Sequence, residues 1–183
     1  MSHVQTHSLI RMIRENLDNL PDYALPGGFS LCSYQPGDEE NWLQIHLAAD
    51  RLQPIMPDLF GREFGSDAAL LAQRQYYLIA PDGQAVGTAS AWFKDNFEGR
   101  TFGRVHWVAI VPEYQGRGLA KPLMSAICRL LRELGHDCAY LTTSTGRLPA
   151  INLYLRFGFV PLIRTPEDAA VWKQLSLPGS ARS

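Results

Sequence analysis

The chain has 183 residues, 46% hydrophobic and 19% charged, with 17 basic and 18 acidic side chains and a formal net charge of −1. This is ordinary globular composition on the scale of one domain, which excludes a disordered, collagen-like or coiled-coil chain and argues against a dedicated nucleic-acid binder. Cys32, Cys128 and Cys138 are an odd, widely spaced set without a C-x-x-C pair, and no apolar run reaches membrane-spanning length, so the expectation is a soluble cytoplasmic protein with reduced thiols, no metal and no membrane contact.

Near the start, Leu9, Ile10, Ile13, Leu17 and Leu20 share one helical face, and Pro21 would stop such a helix. The stretch Pro21 to Gly28 (P-D-Y-A-L-P-G-G) reads as a linker. The expected organisation is therefore a helical extension over 1–28, a compact domain over 29–177 and a tail over 178–183. The extension would pack on the domain or on a partner chain, which leaves a homodimer open.

Phe29 to Tyr34 reads as a short strand, and Asp38 can cap a helix holding Trp42, Ile45 and His46. A short helix follows over Asp58 to Phe64. Gln75 to Ala80 and Ala85 to Phe93 flank the turn Pro81-Asp82-Gly83 and predict a hairpin. Asp95 to Gly103 reads as a polar loop, and Arg104 to Val111 as a strand ended by Pro112. Gly118 to Leu134 predicts a helix stopped by Gly135, Cys138 to Thr143 a strand, and Leu148 to Phe157 a helix stopped by Gly158. Phe159 to Ile163 and Ala170 to Leu175 are the last expected strands. Hairpins mixed with strand–helix–strand units imply an α/β (α+β) protein with a mixed sheet and helices on its faces.

The segment Val108 to Lys121, V-A-I-V-P-E-Y-Q-G-R-G-L-A-K, carries the chemistry. A buried strand enters a glycine turn that opens a helix. The first turn of a helix offers free N–H groups and the positive end of the dipole, and Gly116 and Gly118 remove the Cβ atoms that would keep a phosphate away. Arg117 and Lys121 add charge. Neither the Walker spacing nor the Rossmann G-x-G-x-x-G is satisfied, and on local physics alone the glycines could simply turn the chain.

Gln115-Gly116-Arg117-Gly118-Leu119-Ala120 resembles the Q/R-x-x-G-x-G/A signature of the GNAT superfamily of acyl-CoA-dependent N-acetyltransferases. Ala150-Ile151-Asn152-Leu153-Tyr154-Leu155-Arg156-Phe157-Gly158-Phe159 resembles that family's A-x-x-L-Y-x-x-x-G-F segment, in the right order and spacing. The resemblance covers about Phe29 to Leu175. It implies a largely antiparallel sheet splayed between two neighbouring parallel strands, here Arg104–Val111 and Cys138–Thr143, with acetyl-CoA as cosubstrate in the splay. The pyrophosphate would lie on N–H groups from Gly116 to Lys121. Gln115 and Ala120 match the ends of the signature, and Leu119 would pack inward. The pantetheine arm would pair with backbone near Val108 and Ile110, with Ala109 or Val108 supplying an oxyanion donor.

The same resemblance implies acetyl transfer to a primary amine of a small molecule or peptide, by direct attack. Tyr154 matches the family tyrosine that often protonates the departing thiolate, the alternative being a core aromatic on a helix. Where family members often carry a carboxylate base, this chain has Arg104 and Thr142. His106 shares strand parity with Arg104 and is the candidate base, or else a substrate-orienting or structural residue. Arg147 stands where the family often has Asn. Asp50, Asp58 and Glu63 are candidates to attract a cationic amine beside an aromatic set that includes Trp42, Phe60, Phe64 and Trp92, most of it expected to be core. Two competing readings are a non-catalytic acyl-CoA-binding module and a protein-interaction domain using the Leu9–Leu20 helix.

Overall fold

A computed structural model describes residues 7–175. The first six residues and the tail at 178–183 lie outside the described residues. In chain order the elements are β1 (Leu9–Arg14), β2 (Ser30–Ser33), α1 (Asp38–Ala49), α2 (Leu59–Phe64), α3 (Ala68–Arg74), β3 (Gln75–Ile79), β4 (Ala85–Phe97), β5 (Arg100–Ile110), α4 (Ala120–Glu133), β6 (Ala139–Ser144), α5 (Leu148–Arg156), β7 (Val160–Pro161) and α6 (Pro166–Gln174). A 3-10 turn, Pro112–Tyr114, joins β5 to the loop before α4.

The seven strands form one sheet in the order β2-β3-β4-β5-β6-β1-β7. Neighbours are antiparallel except β5 and β6, which run parallel. Alternation along the strands sends side chains to two faces. Ala91 and Val105 join the core under α4 and α5, which includes Leu123, Ile127, Leu131, Ile151 and Tyr154. The opposite face carries Tyr77 and Trp92 with Trp42, Ile45, Phe60 and Phe64 of α1 and α2. Most of the expected aromatic set is therefore core.

The N-terminal segment departs from expectation. Leu9–Arg14 is a strand, paired along its whole length with β6 and at its centre with β7. Ile10 and Met12 are buried on one face while Leu9 and Arg11 are exposed, the period of a strand. Leu17 is buried too, its N–H bonding the Asp137 carbonyl at 2.8 Å. Leu9–Arg14, within the expected extension, is thus part of the sheet, and the interaction helix expected there is absent among the described residues.

Two other differences have local causes. The expected loop at Asp95 to Gly103 is instead the tip of a long β4–β5 hairpin, closed around Phe97↔Arg100 and covered by stacking of Phe97 on Tyr140 at 4.0 Å. Ala170 to Leu175 falls in or beside helix α6, because Thr165 and Asp168 cap each other's backbone and Pro166 opens the helix. The helix α3 was not expected; Asp67 caps it by accepting from the N–H groups of Ala69 and Leu70.

Candidate active site

Strands β5 and β6 pair through only two positions, Gly103↔Ala139 and Arg104↔Tyr140. Gly103 permits this contact: a Cβ there would sit 3.0 Å from Leu131 Cδ2 and 3.2 Å from the Cys138 carbonyl oxygen. Beyond Arg104 the strands part. β5 stays paired with β4 as far as Ile110, and β6 stays paired with β1, so the facing edges of β5 and β6 form a fork.

At the mouth of the fork β5 carries a bulge. Thr88 pairs with Ala109 and Ser90 with His106, so Ala89 alone faces Trp107 and Val108. Trp107 has φ of 49°, a left-handed conformation that costs a bulky residue about 1–3 kcal/mol and persists only when its surroundings hold it. Trp107 Nε1 donates to Glu63 Oε2 at 3.0 Å, and its ring packs against Trp42 and His46 at centroid distances of 5.1 and 5.0 Å.

Glu63 also meets His106, with Oε2 2.9 Å from Nε2. Hydrogen bonds from His106 and Trp107 hold the Glu63 carboxyl down to about 2 despite its partial burial. An ionised carboxylate only accepts, so Nε2 of His106 carries the proton and Nδ1 keeps its lone pair. Burial holds the His106 imidazole down to about 4, against the opposing pull of Glu63, and the ring is therefore neutral at physiological pH. Burial does the same to neighbouring His46, held down to about 3, whose Nε2 is buried without a partner among the described residues.

The loop after β5 has the form its sequence suggests. Tyr114 and Gln115 donate back to the Val111 and Pro112 carbonyls, and the Gln115 side chain donates to the Ile110 carbonyl at 2.8 Å, pinning loop to strand. From Gly116 to Lys121 no backbone N–H finds an acceptor of normal geometry among the described residues; the next bond at the helix start is from Leu123 to Leu119. Gly116 and Gly118 have φ of 74° and 80°, and no heavy atom lies within 4 Å of where a Cβ would stand at either. Leu119 is buried in the core, as expected from its sequence position. Arg117 lies over the Tyr114 ring and Lys121 over the Tyr23 ring, with their charges at 4.6 and 5.3 Å from the centroids. The open, donor-rich loop fits a diphosphate such as that of acetyl-CoA.

Tyr154 stands on α5 within the α4–α5 core, and burial pushes its hydroxyl up to about 12. His106 lies on the α1–α2 side, so the two expected catalytic side chains flank the fork from opposite faces of the sheet. Arg147, at the start of α5, is paired with Asp50 of α1 at 2.5 Å, closing a bridge from the end of α1 to the β6–α5 turn.

The acidic candidates do not form an open acidic pocket. Asp50 is engaged by Arg147, Asp58 is an exposed partner of Arg62, and Glu63 is engaged by His106 and Trp107. The role of Glu63 as partner of His106 is new. It comes from α2, distant in sequence from β5, and no local motif marks it. Among the described residues no group of three metal-ligating side chains gathers, and no helix is long and apolar enough to cross a membrane.

Residues 40–159 match the family model for the acetyltransferase (GNAT) family. The chain is 34% identical over 148 residues to the mycothiol acetyltransferase of Arthrobacter sp., covering 76% of this chain and 45% of that protein. It is 31% identical over 156 residues to the mycothiol acetyltransferase of Streptomyces coelicolor, covering 82% of this chain and 50% of that one. The chain thus spans about half the length of the curated relatives it matches. A GCN5-related N-acetyltransferase from Sphaerobacter thermophilus superposes with a TM-score of 0.68 at 21% identity, covering 84% of this chain and 48% of that one. A GNAT-family acetyltransferase from Colwellia psychrerythraea superposes with a TM-score of 0.63 at 11% identity, covering 85% and 54%. These structural likenesses concern the fold.

Proposed function

The chain belongs to the GNAT family of acetyltransferases, and on that premise we propose that it transfers an acetyl group from acetyl-CoA to a primary amine of a small molecule or peptide. The observation that carries this reading is the fork ending in a loop of unpartnered N–H groups, Gly116 to Lys121. A small-molecule acceptor is further supported by the relatives' name, mycothiol acetyltransferase.

In this reading the loop N–H groups, with Arg117 and Lys121, hold the cosubstrate's diphosphate, and the free β5 edge at Val108 and Ile110 pairs with its amide-bearing arm as a strand would. Acetyl-CoA supplies a thioester, whose carbonyl becomes more negative as an amine adds. A backbone N–H at Val108 or Ala109, just past the bulge, would stabilise that charge.

An alkyl ammonium holds its proton up to about pH 10.4, so the enzyme must remove one before the amine can attack. His106 Nδ1 takes it, and Glu63, holding Nε2–H, stabilises the imidazolium that forms. Tyr154, kept protonated by burial, gives a proton to the departing thiolate. The two proton transfers then occur on opposite sides of the fork, where the incoming and outgoing groups are kept apart.

Calorimetry with acetyl-CoA, followed by thiol release across a panel of amines, tests the reading. Binding in the micromolar range with amine-dependent release is expected. Absence of binding at millimolar concentration would overturn it.

A further inference from the structure

Two arginines stand at the joined end of the fork. Arg104 is the last β5 residue paired to β6, and its guanidinium carbon lies 5.6 Å above the ring of Tyr140, the residue opposite. Its Nε is buried and has no partner among the described residues. Arg11 of β1 stands in register with Thr142, two residues beyond Tyr140 on β6, and so shares the face of Tyr140 and Arg104. Neither arginine forms an ion pair among the described residues; Asp50 is paired with Arg147 and Asp58 with Arg62, and Glu63 lies close by but is taken up by His106 and Trp107.

Two guanidiniums that form no ion pair of their own beside a cleft, with the nearby Glu63 carboxylate already held by His106 and Trp107, attract a second anion. Arg104 and His106 are two residues apart on one strand, about 7 Å along the chain, with their side chains on the same face. That separation suits a molecule whose anionic group and amine are joined by a short spacer. We propose that the acceptor is an amine that also carries a carboxylate or phosphate, received by Arg104 with Arg11 while its amine faces His106. This rests on the acetyltransferase reading above and names the substrate class of that site. A planar guanidinium can bind either oxyanion through paired N–H donors, the most directional charge-assisted contact available to a side chain.

The test compares kcat/KM for matched acceptors: an amino acid against its carboxamide, and an aminoalkyl phosphate against the corresponding amino alcohol. The anionic member of at least one pair should be favoured about tenfold or more, and the pair that shows it identifies the anion. Arg104→Gln should bring that ratio close to unity, and Arg104→Lys should restore part of it. Arg62→Gln, on an exposed partner of Asp58, should leave the ratio unchanged. A wild-type enzyme that prefers the neutral members, a ratio insensitive to Arg104→Gln, or bound acetyl-CoA with no turnover of any of the four would overturn the proposal while leaving cosubstrate binding intact. Failure to bind acetyl-CoA would overturn the acetyltransferase reading itself and this proposal with it.

Discussion

Glu63 and His106 meet at 2.9 Å, a carboxylate from a two-turn helix against an imidazole at the mouth of the fork. In the proposed reaction this contact would supply what neither central strand has, a carboxylate coupled to the candidate base. Glu63→Gln keeps an oxygen to accept from His106 and Trp107 but removes the charge. It should lower kcat about 10- to 100-fold, with little change in acetyl-CoA affinity. The Glu63 bond raises the His106 pKa, so the acid limb of the pH–rate profile should shift to lower pH in the variant. An unshifted limb would remove Glu63 from the relay.

Stability should fall on acidification for the same reason. His46 and His106 have folded pKa values of about 3 and 4, below the 6.5 of an unperturbed imidazole. Between those limits the unfolded chain binds more protons than the folded one, so stability is full above about pH 6.5 and declines as pH falls through the histidine window. Glu63 adds to the loss below its unperturbed 4.5, since its folded pKa is about 2. Urea midpoints measured from neutral to mildly acid pH should drop, and His106→Phe should flatten part of that slope.

Tyr154→Phe should lower kcat about 100-fold while leaving the KM for acetyl-CoA nearly unchanged, because only the proton donor is lost. Stopped-flow thiol release at saturating cosubstrate reads this directly. Full turnover in the variant would make Tyr154 a packing residue.

Gly118→Ala should weaken acetyl-CoA binding about tenfold. The new Cβ would meet no protein atom, so its cost is the left-handed backbone, about 1 kcal/mol, together with obstruction of the N–H cradle. Calorimetry gives the affinity, and thermal denaturation without ligand isolates the backbone part.

Removing residues 1–20 should abolish folding. It deletes β1 from between β6 and β7 and takes Ile10, Met12, Ile13 and Leu17 out of the core. At about 1.5–3 kcal/mol for each buried side chain, the loss rivals the whole net stability of a domain. A cooperative unfolding transition in the truncated chain would refute this.

Much of the fold was legible because its signals are local. The Pro81–Gly83 turn, the apolar face of α4 and the glycine loop all declare themselves within a few residues. The first strand did not. Leu9, Ile10, Ile13, Leu17 and Leu20 satisfy a helical period, and only the burial of Met12 beside exposed Arg11 reveals alternation. At the other end a signal existed and favoured a helix: Thr165, Pro166 and Asp168 form a capping sequence ahead of Ala170. The glycine turn that opens α4 was readable from the chain, but the bulge at Trp107 and the Glu63–His106 contact were not. Both depend on which strand and helix become neighbours, information spread over elements that share no motif.

The two-rung join at Gly103 and Arg104 has a mechanical consequence. The sheet consists of a four-stranded panel, β2 to β5, and a three-stranded panel, β6, β1 and β7, laced together at one end only. Elsewhere the panels are coupled through helices, the Phe97–Tyr140 stack and the Arg147–Asp50 bridge. A ligand lying along the fork would act as the missing lacing, so the rigidity of the whole sheet would rise and fall with each catalytic cycle.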